Sequence, residues 1–204
     1  MNFYYYPPYD SPIEDIFAWN LSKYINSDIK VFTQFAVNTI GGKFILDFLL
    51  ELPNKQKILV ECDGKEFHDI HRDEWRDGMI LGDNYATFIY RIRGSDLYYH
   101  INDVLFIISR IHPELMSERG HKNLSMLASE EVKKLPISIN REKYIVDYES
   151  ESKKSNLHLI TRQQTIPNGE RRYWKTVYDF VVSVGGGNID ELMKQKYKLN
   201  IKES

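Results

Sequence analysis

Apolar side chains at Ile13, Ile16, Phe17 and Leu21 recur at helical spacing directly after Asp10-Ser11-Pro12. Ser11 is placed to cap that helix, Pro12 to be its first residue and Glu14 to complete a capping box. The pattern predicts a helix over 12–26, with Glu14 and Asp15 near the rim of its buried face. Strand-like runs follow over 31–37, 43–50 and 57–61, separated by Asn38-Thr39-Ile40-Gly41-Gly42 and by Pro53-Asn54, turn compositions that predict a meander. Helical spacing returns over 69–81. A β-branched and aromatic strand is expected over 85–92, and then a strongly apolar helix over 97–111, capped by Ser95 and Asp96 and stopped by Pro113. Helix, three strands, helix, strand, helix describes an α/β sandwich with a mixed sheet flanked by helices.

Beyond Glu114 the chain turns to Ser, Lys and Glu, and a linker or accessory helix is expected over 115–140, helical near 124–135 and broken by Pro136. An α+β extension over 141–204 follows. Residues 144–148 and 157–165 alternate as a hairpin, while Tyr173, Val177, Phe180, Val181 and Val184 have helical spacing but β-branched composition, so helix and strand compete there. Gly185-Gly186-Gly187 interrupts the chain, and Asn188 with Glu191 starts a last short helix.

Composition narrows the class. In 204 residues, 42% hydrophobic and 27% charged, no apolar run approaches a membrane span, and the opening MNFYYYPPYDSP lacks a basic segment followed by an apolar one. A single cysteine, Cys62, excludes an internal disulfide framework and a multi-cysteine zinc site, and fits a reducing cytoplasm. The net charge of −2 hides asymmetry: residues 1–114 hold 11 Lys+Arg against 17 Asp+Glu, residues 115–204 hold 16 against 12, giving −6 and +4. Bulk charge therefore announces no nucleic-acid partner. Phosphate binding would need a local basic patch or metal ions bridging carboxylates to phosphate.

The acidic half carries the chemistry. Asp47 interrupts the hydrophobic run Phe44-Ile45-Leu46-Asp47-Phe48, and Glu61 ends Ile58-Leu59-Val60-Glu61 in the same way. Two carboxylates terminating neighbouring strands are costly to bury alone, and a shared divalent cation offsets their repulsion. Oxygen ligands favour Mg²⁺ or Mn²⁺. The bland counterpart for either acid is a salt bridge or an edge position.

Glu61-Cys62-Asp63-Gly64, then His68, then Asp73 and Arg76 on the next helix, then Arg91 on the next strand extend the pattern. Over residues 11–112 it resembles the PD-(D/E)XK nuclease superfamily, and within it small endonucleases similar to very-short-patch-repair enzymes. The resemblance implies a restriction-endonuclease-like core over 1–114. It makes Asp47 and Glu61 metal ligands with the Cys62 carbonyl, adds Glu14 to them as the match to an acid on the first helix, turns Arg76 towards the site, and gives Gln34, the match to a glutamine on the first strand, and Arg91 as expected nucleic-acid contacts. It also implies that the chain is a Mg²⁺-dependent endonuclease hydrolysing phosphodiester bonds, with DNA the expected substrate. Asp63 stands where the superfamily name promises lysine, which leaves water activation to Lys65 or His68. The same departure keeps open the alternative of an inactive nuclease-fold subunit that binds DNA or protein.

Bland readings stand beside these: a loop hydrogen bond for His68, a solvated Lys65, a surface ion pair for Asp73 and Arg76, solvated His71 and Arg72, and packing for Cys62, whose thiolate the flanking acids suppress. In the basic half, Lys153 and Lys154 at the hairpin tip, and Arg171, Arg172 and Lys175 interleaved with Tyr173 and Trp174, are candidate nucleic-acid contacts or a solvated face. A protein partner or a homodimer through this extension is a further expectation. Tyr4-Tyr5-Tyr6-Pro7-Pro8-Tyr9 could stack on bases or cover the core edge.

Overall fold

The computed structural model describes residues 3–64, 70–149, 154–165 and 173–202. Lys65, His68, Lys153, Arg171 and Arg172 lie outside them.

Helix α1 (Pro12–Tyr24) begins as its cap composition requires: Ser11 Oγ accepts the Glu14 N–H, and Glu14 Oε1 accepts from the Ser11 hydroxyl at 2.7 Å. Strands β1 (Lys30–Thr39), β2 (Gly42–Glu51) and β3 (Lys57–Asp63) form the expected antiparallel meander. Helix α2 (Ile70–Gly82) crosses to β4 (Phe88–Arg93), which pairs parallel with β3. This strand starts later than the sequence pattern suggests, because the Tyr85 amide closes the turn after α2 by donating to the Ile80 carbonyl, and only with Thr87, which donates to the Lys57 carbonyl of β3, does the chain come alongside its neighbour.

Helix α3 (Gly94–Ile111), kinked at His100 where the backbone leaves helical geometry, follows at once, with Arg93 at its N-cap. Ser95 and Asp96 are therefore inside the helix rather than capping it. Asp96 instead receives the Arg93 guanidinium at 2.9 and 3.0 Å and the His158 amide at 3.0 Å.

The expected helix near 124–135 is two helices, α4 (Glu118–Leu127) and α5 (Glu130–Lys133). The break has a cause: Asp103 of α3 accepts both the amide and the hydroxyl of Ser129, the α5 N-cap. Leu124, Ala128 and Val132 are buried in the same core as α1 and α3, so the segment is packed structure and not a free linker.

The hairpin β5 (Lys143–Glu149) and β6 (Lys154–Gln163) adds to the sheet through an antiparallel β6–β4 pairing. The mixed six-stranded order is β1-β2-β3-β4-β6-β5, so one sheet runs across residue 114. Residues from 173 resolve as a helix, α6 (Tyr173–Ser183), and the last helix, α7 (Ile189–Lys202), is longer than expected.

Helices cover both faces. One core layer joins α1, α3, α4 and α5 to Phe48, Val60, Tyr90, Tyr144 and Leu159; the other joins α2, α6 and α7 to Leu46, Leu49, Leu59 and Ile89. Gly78 and Gly82, one turn apart on α2, admit α6. A Cβ at Gly82 would sit 2.1 Å from the Tyr178 ring, and one at Gly78 3.1 Å from the Trp174 carbonyl oxygen. Among the described residues no helix is long and apolar enough to cross a membrane.

Candidate active site

The site lies where β2 and β3 part. Their ladder runs from Glu51↔Lys57 to Phe48↔Val60 and stops. At the next position the Asp47 carboxylate takes over, with Oδ2 accepting the Cys62 N–H at 2.8 Å.

Strand β2 also turns over here. Phe44 and Leu46 pack in the α2 layer, yet Phe48 and Leu50, further steps of two along the strand, pack in the α1 layer. On β1, Gln34 lies between the paired residues Thr33↔Phe48 and Phe35↔Leu46 and has φ 49°, the left-handed region that a non-glycine residue rarely adopts. Matched irregularities on adjacent strands thus present Asp47 at the split. Gln34 Nε2 donates to Glu14 Oε2 at 2.6 Å, which leaves both oxygens of the 5% exposed Glu14 partnered.

Glu61 is 2% exposed and held by a fork from α2: Arg76 Nη1 donates to Oε2 at 2.6 Å and Nη2 to Oε1 at 3.1 Å. Arg76 Nη2 donates also to the Ile45 carbonyl. Burial pushes the Asp47 carboxyl up to about 6, with Glu14 and Asp63 adding to the rise and the Cys62 amide and Arg76 opposing it. Burial likewise pushes Glu61 up, with Asp47 adding to the rise, while the paired Arg76 and the nearby Arg91 oppose it. Asp47 thus stands close enough to Glu61 to disfavour its charge. Burial and the same carboxylates push the Cys62 thiol well above its ordinary value, in keeping with a packing role.

Behind this pair lies an ionic lattice. Arg91 of β4, 4% exposed, forks onto Asp77 at 2.9 and 2.8 Å and donates to Asp63 at 2.8 Å, with Asp73 at 3.5 Å. Arg162 of β6 donates to the same Asp77 and lies 3.6 Å from Glu74. Burial opposes the ionised form of Asp77, but the two guanidinium groups hold its carboxyl below the usual range. Asp73 and Arg76 therefore turn to Arg91 and Glu61 respectively. Arg91, expected at a nucleic-acid surface, is an internal counter-ion.

The structure thus brings together Glu14, Gln34, Asp47, Glu61, Cys62, Asp63, Arg76 and Arg91. It keeps Lys175 apart on α6, paired with Asp179 at 3.0 Å. Lys154 opens β6. Arg72 forms an exposed pair with Asp190 at 2.8 Å. Tyr5 and Tyr9 pack against the α1 core, with Tyr9 5.6 Å from the Phe48 ring, whereas Tyr4 and Tyr6 are exposed.

Asp77 and Arg162 were not singled out by sequence reasoning. Period two does set Arg162 on the face opposite buried Leu159 and Thr161, but only the β6–β4 pairing reveals that α2 covers that face.

Asp47 Oδ1 has no hydrogen-bond partner among the described residues, and all the donors are hard oxygens, which suits Mg²⁺ or Mn²⁺. Both Glu61 oxygens, though, accept from Arg76. Among the described residues no group of three or more His, Cys, Asp or Glu side chains is disposed to hold a metal. In comparisons with family models, with curated proteins and with solved structures, the chain matches none.

Proposed function

We propose that the chain is a divalent-metal-dependent nuclease of the PD-(D/E)XK kind, hydrolysing phosphodiester bonds of nucleic acid, with DNA the favoured substrate. The observation that carries the reading is the opening between β2 and β3, where the ladder has stopped and the Asp47 carboxylate bears on the buried Glu61. Without a cation such an arrangement is a liability, and functional sites are where such liabilities collect.

Asp47, Glu61, the Cys62 carbonyl and Glu14 would hold the ion. The chemistry drawn from a bound Mg²⁺ or Mn²⁺ is polarisation of the scissile phosphate and a more acidic attacking water. The protein's own part is positional. Cys62 N–H fixes one Asp47 oxygen and leaves the other without a hydrogen bond among the described residues, Gln34 orients Glu14, and Arg91 keeps Asp63 from acting as a base. The proton then falls to His68, whose imidazole is of the type suited to proton transfer, with Lys65 the second candidate.

A specific observation favours a second reading, a nuclease-fold binding subunit without turnover: Arg76 already neutralises Glu61. Incubation of the purified chain with supercoiled plasmid and single-stranded DNA, with Mg²⁺ or Mn²⁺, separates the two. Metal-dependent cleavage that vanishes in Asp47→Ala and Glu61→Ala supports the nuclease. Intact DNA throughout, or cleavage equal in parent and variants, overturns it.

A further inference from the structure

Arg76 stands where the proposed metal chemistry would place a cation. Its two terminal nitrogens reach both Glu61 oxygens, the second nitrogen also reaches the Ile45 carbonyl, and its guanidinium lies 5.8 Å from the Phe44 ring. A doubly charged ion bound by the same carboxylate would sit within about 4 Å of a guanidinium, a repulsive approach that the low dielectric of the interior strengthens. Of the two arginines acting on Glu61, Arg91 is locked by Asp77 and Asp63, whereas Arg76 has its side chain 16% exposed and, among the described residues, no second carboxylate within ion-pair distance, Asp47 and Asp77 acting on it only from further off. Arg76 is the one free to leave.

We infer that Arg76 is the protein's own rival for the metal: it neutralises Glu61 in the metal-free state and must be displaced before Glu61 can become a ligand. The inference rests on the metal-binding reading above. A ligand competent only in the displaced state binds with an affinity reduced by the population of that state. Arg76 thereby sets the metal concentration at which the site loads.

Mn²⁺ binding to the full chain, followed by calorimetry and independently of cleavage, tests this. Arg76→Gln should bind Mn²⁺ about tenfold more tightly than the parent or better, because the competing state is gone. Guanidinium chloride at about 50 mM, far below denaturing concentrations, should reverse the gain relative to an equal concentration of sodium chloride. Glu61→Gln should abolish the gain in the Arg76→Gln background. Arg76→Lys, whose single ammonium cannot fork both oxygens, should fall between parent and Arg76→Gln, and it carries the test if Arg76→Gln loses its cooperative melt. Binding by the parent with no tightening in either variant overturns the rivalry and leaves the metal reading standing. No Mn²⁺ binding in any of the proteins overturns both.

Discussion

Asp47 makes stability depend on pH in an unusual direction for a carboxylate. Its folded-state value lies above the ordinary one, at about 6. Its contribution is fully favourable below the unfolded value near 4 and is lost as pH rises through 6. Asp47→Asn keeps an oxygen for the Cys62 amide. It should stabilise the metal-free chain by about 1–3 kcal/mol at pH 8 and hardly at all at pH 4. With saturating Mg²⁺ the order should reverse, the parent melting above the variant. Denaturant melts at the two pH values, with and without metal, check this, and a variant less stable than the metal-free parent at pH 8 would contradict it. Gln34 offers a second test of sign. Alanine and glycine both delete its bond to Glu14, but only glycine accepts φ 49° without strain. Gln34→Gly should therefore be more stable than Gln34→Ala by about 1 kcal/mol, the reverse of the usual order in a strand.

At the level of elements, the C-terminal hairpin belongs to the same sheet as the proposed site. Strand β6 pairs with β4, places Leu157 and Leu159 in the α1–α3 core, and supplies Arg162 to Asp77, which in turn fixes Arg91 and, through it, Asp63. A chain ending at residue 114 would expose the β4 edge and leave Asp77 with one guanidinium. Such a fragment should show no cooperative unfolding transition and should aggregate through the bared edge. A sharp melt with parental helix content would show that the first half folds alone. Asp77→Asn in the full chain isolates the lattice from the edge. It leaves Arg91 and Arg162 without their shared carboxylate and should cost about 3–5 kcal/mol, measured by denaturant melts.

For the whole molecule, the proposed substrate must approach an acidic site on a chain whose later residues carry the positive balance. Binding to a DNA duplex should weaken with salt. Neutralising Lys153, Lys154, Arg171 and Arg172 together should lower the log–log salt slope by up to about 3–4, if each contacts a phosphate; an unchanged slope would assign binding elsewhere. Period and punctuation were enough to read the α1 cap, the meander, α2, the later hairpin and the two strand-borne acids, because these are local consequences of side-chain alternation, turn residues and capping. The competition between helix and strand over 173–184 was settled by packing, where Gly78 and Gly82 let α6 lie close on α2. The same limit hid the ion pairs. Arg76 is drawn to Glu61 rather than to Asp73, and Arg91 is turned inward, because a charge buried in a folded chain takes the opposite charge nearest in space. Which charge that is depends on how sheet and helices stack. The types and spacing of the candidate residues were thus local properties of the chain. Which carboxylate stands open, which is already neutralised, and that residue 162 braces residue 63, only the assembled sheet decided.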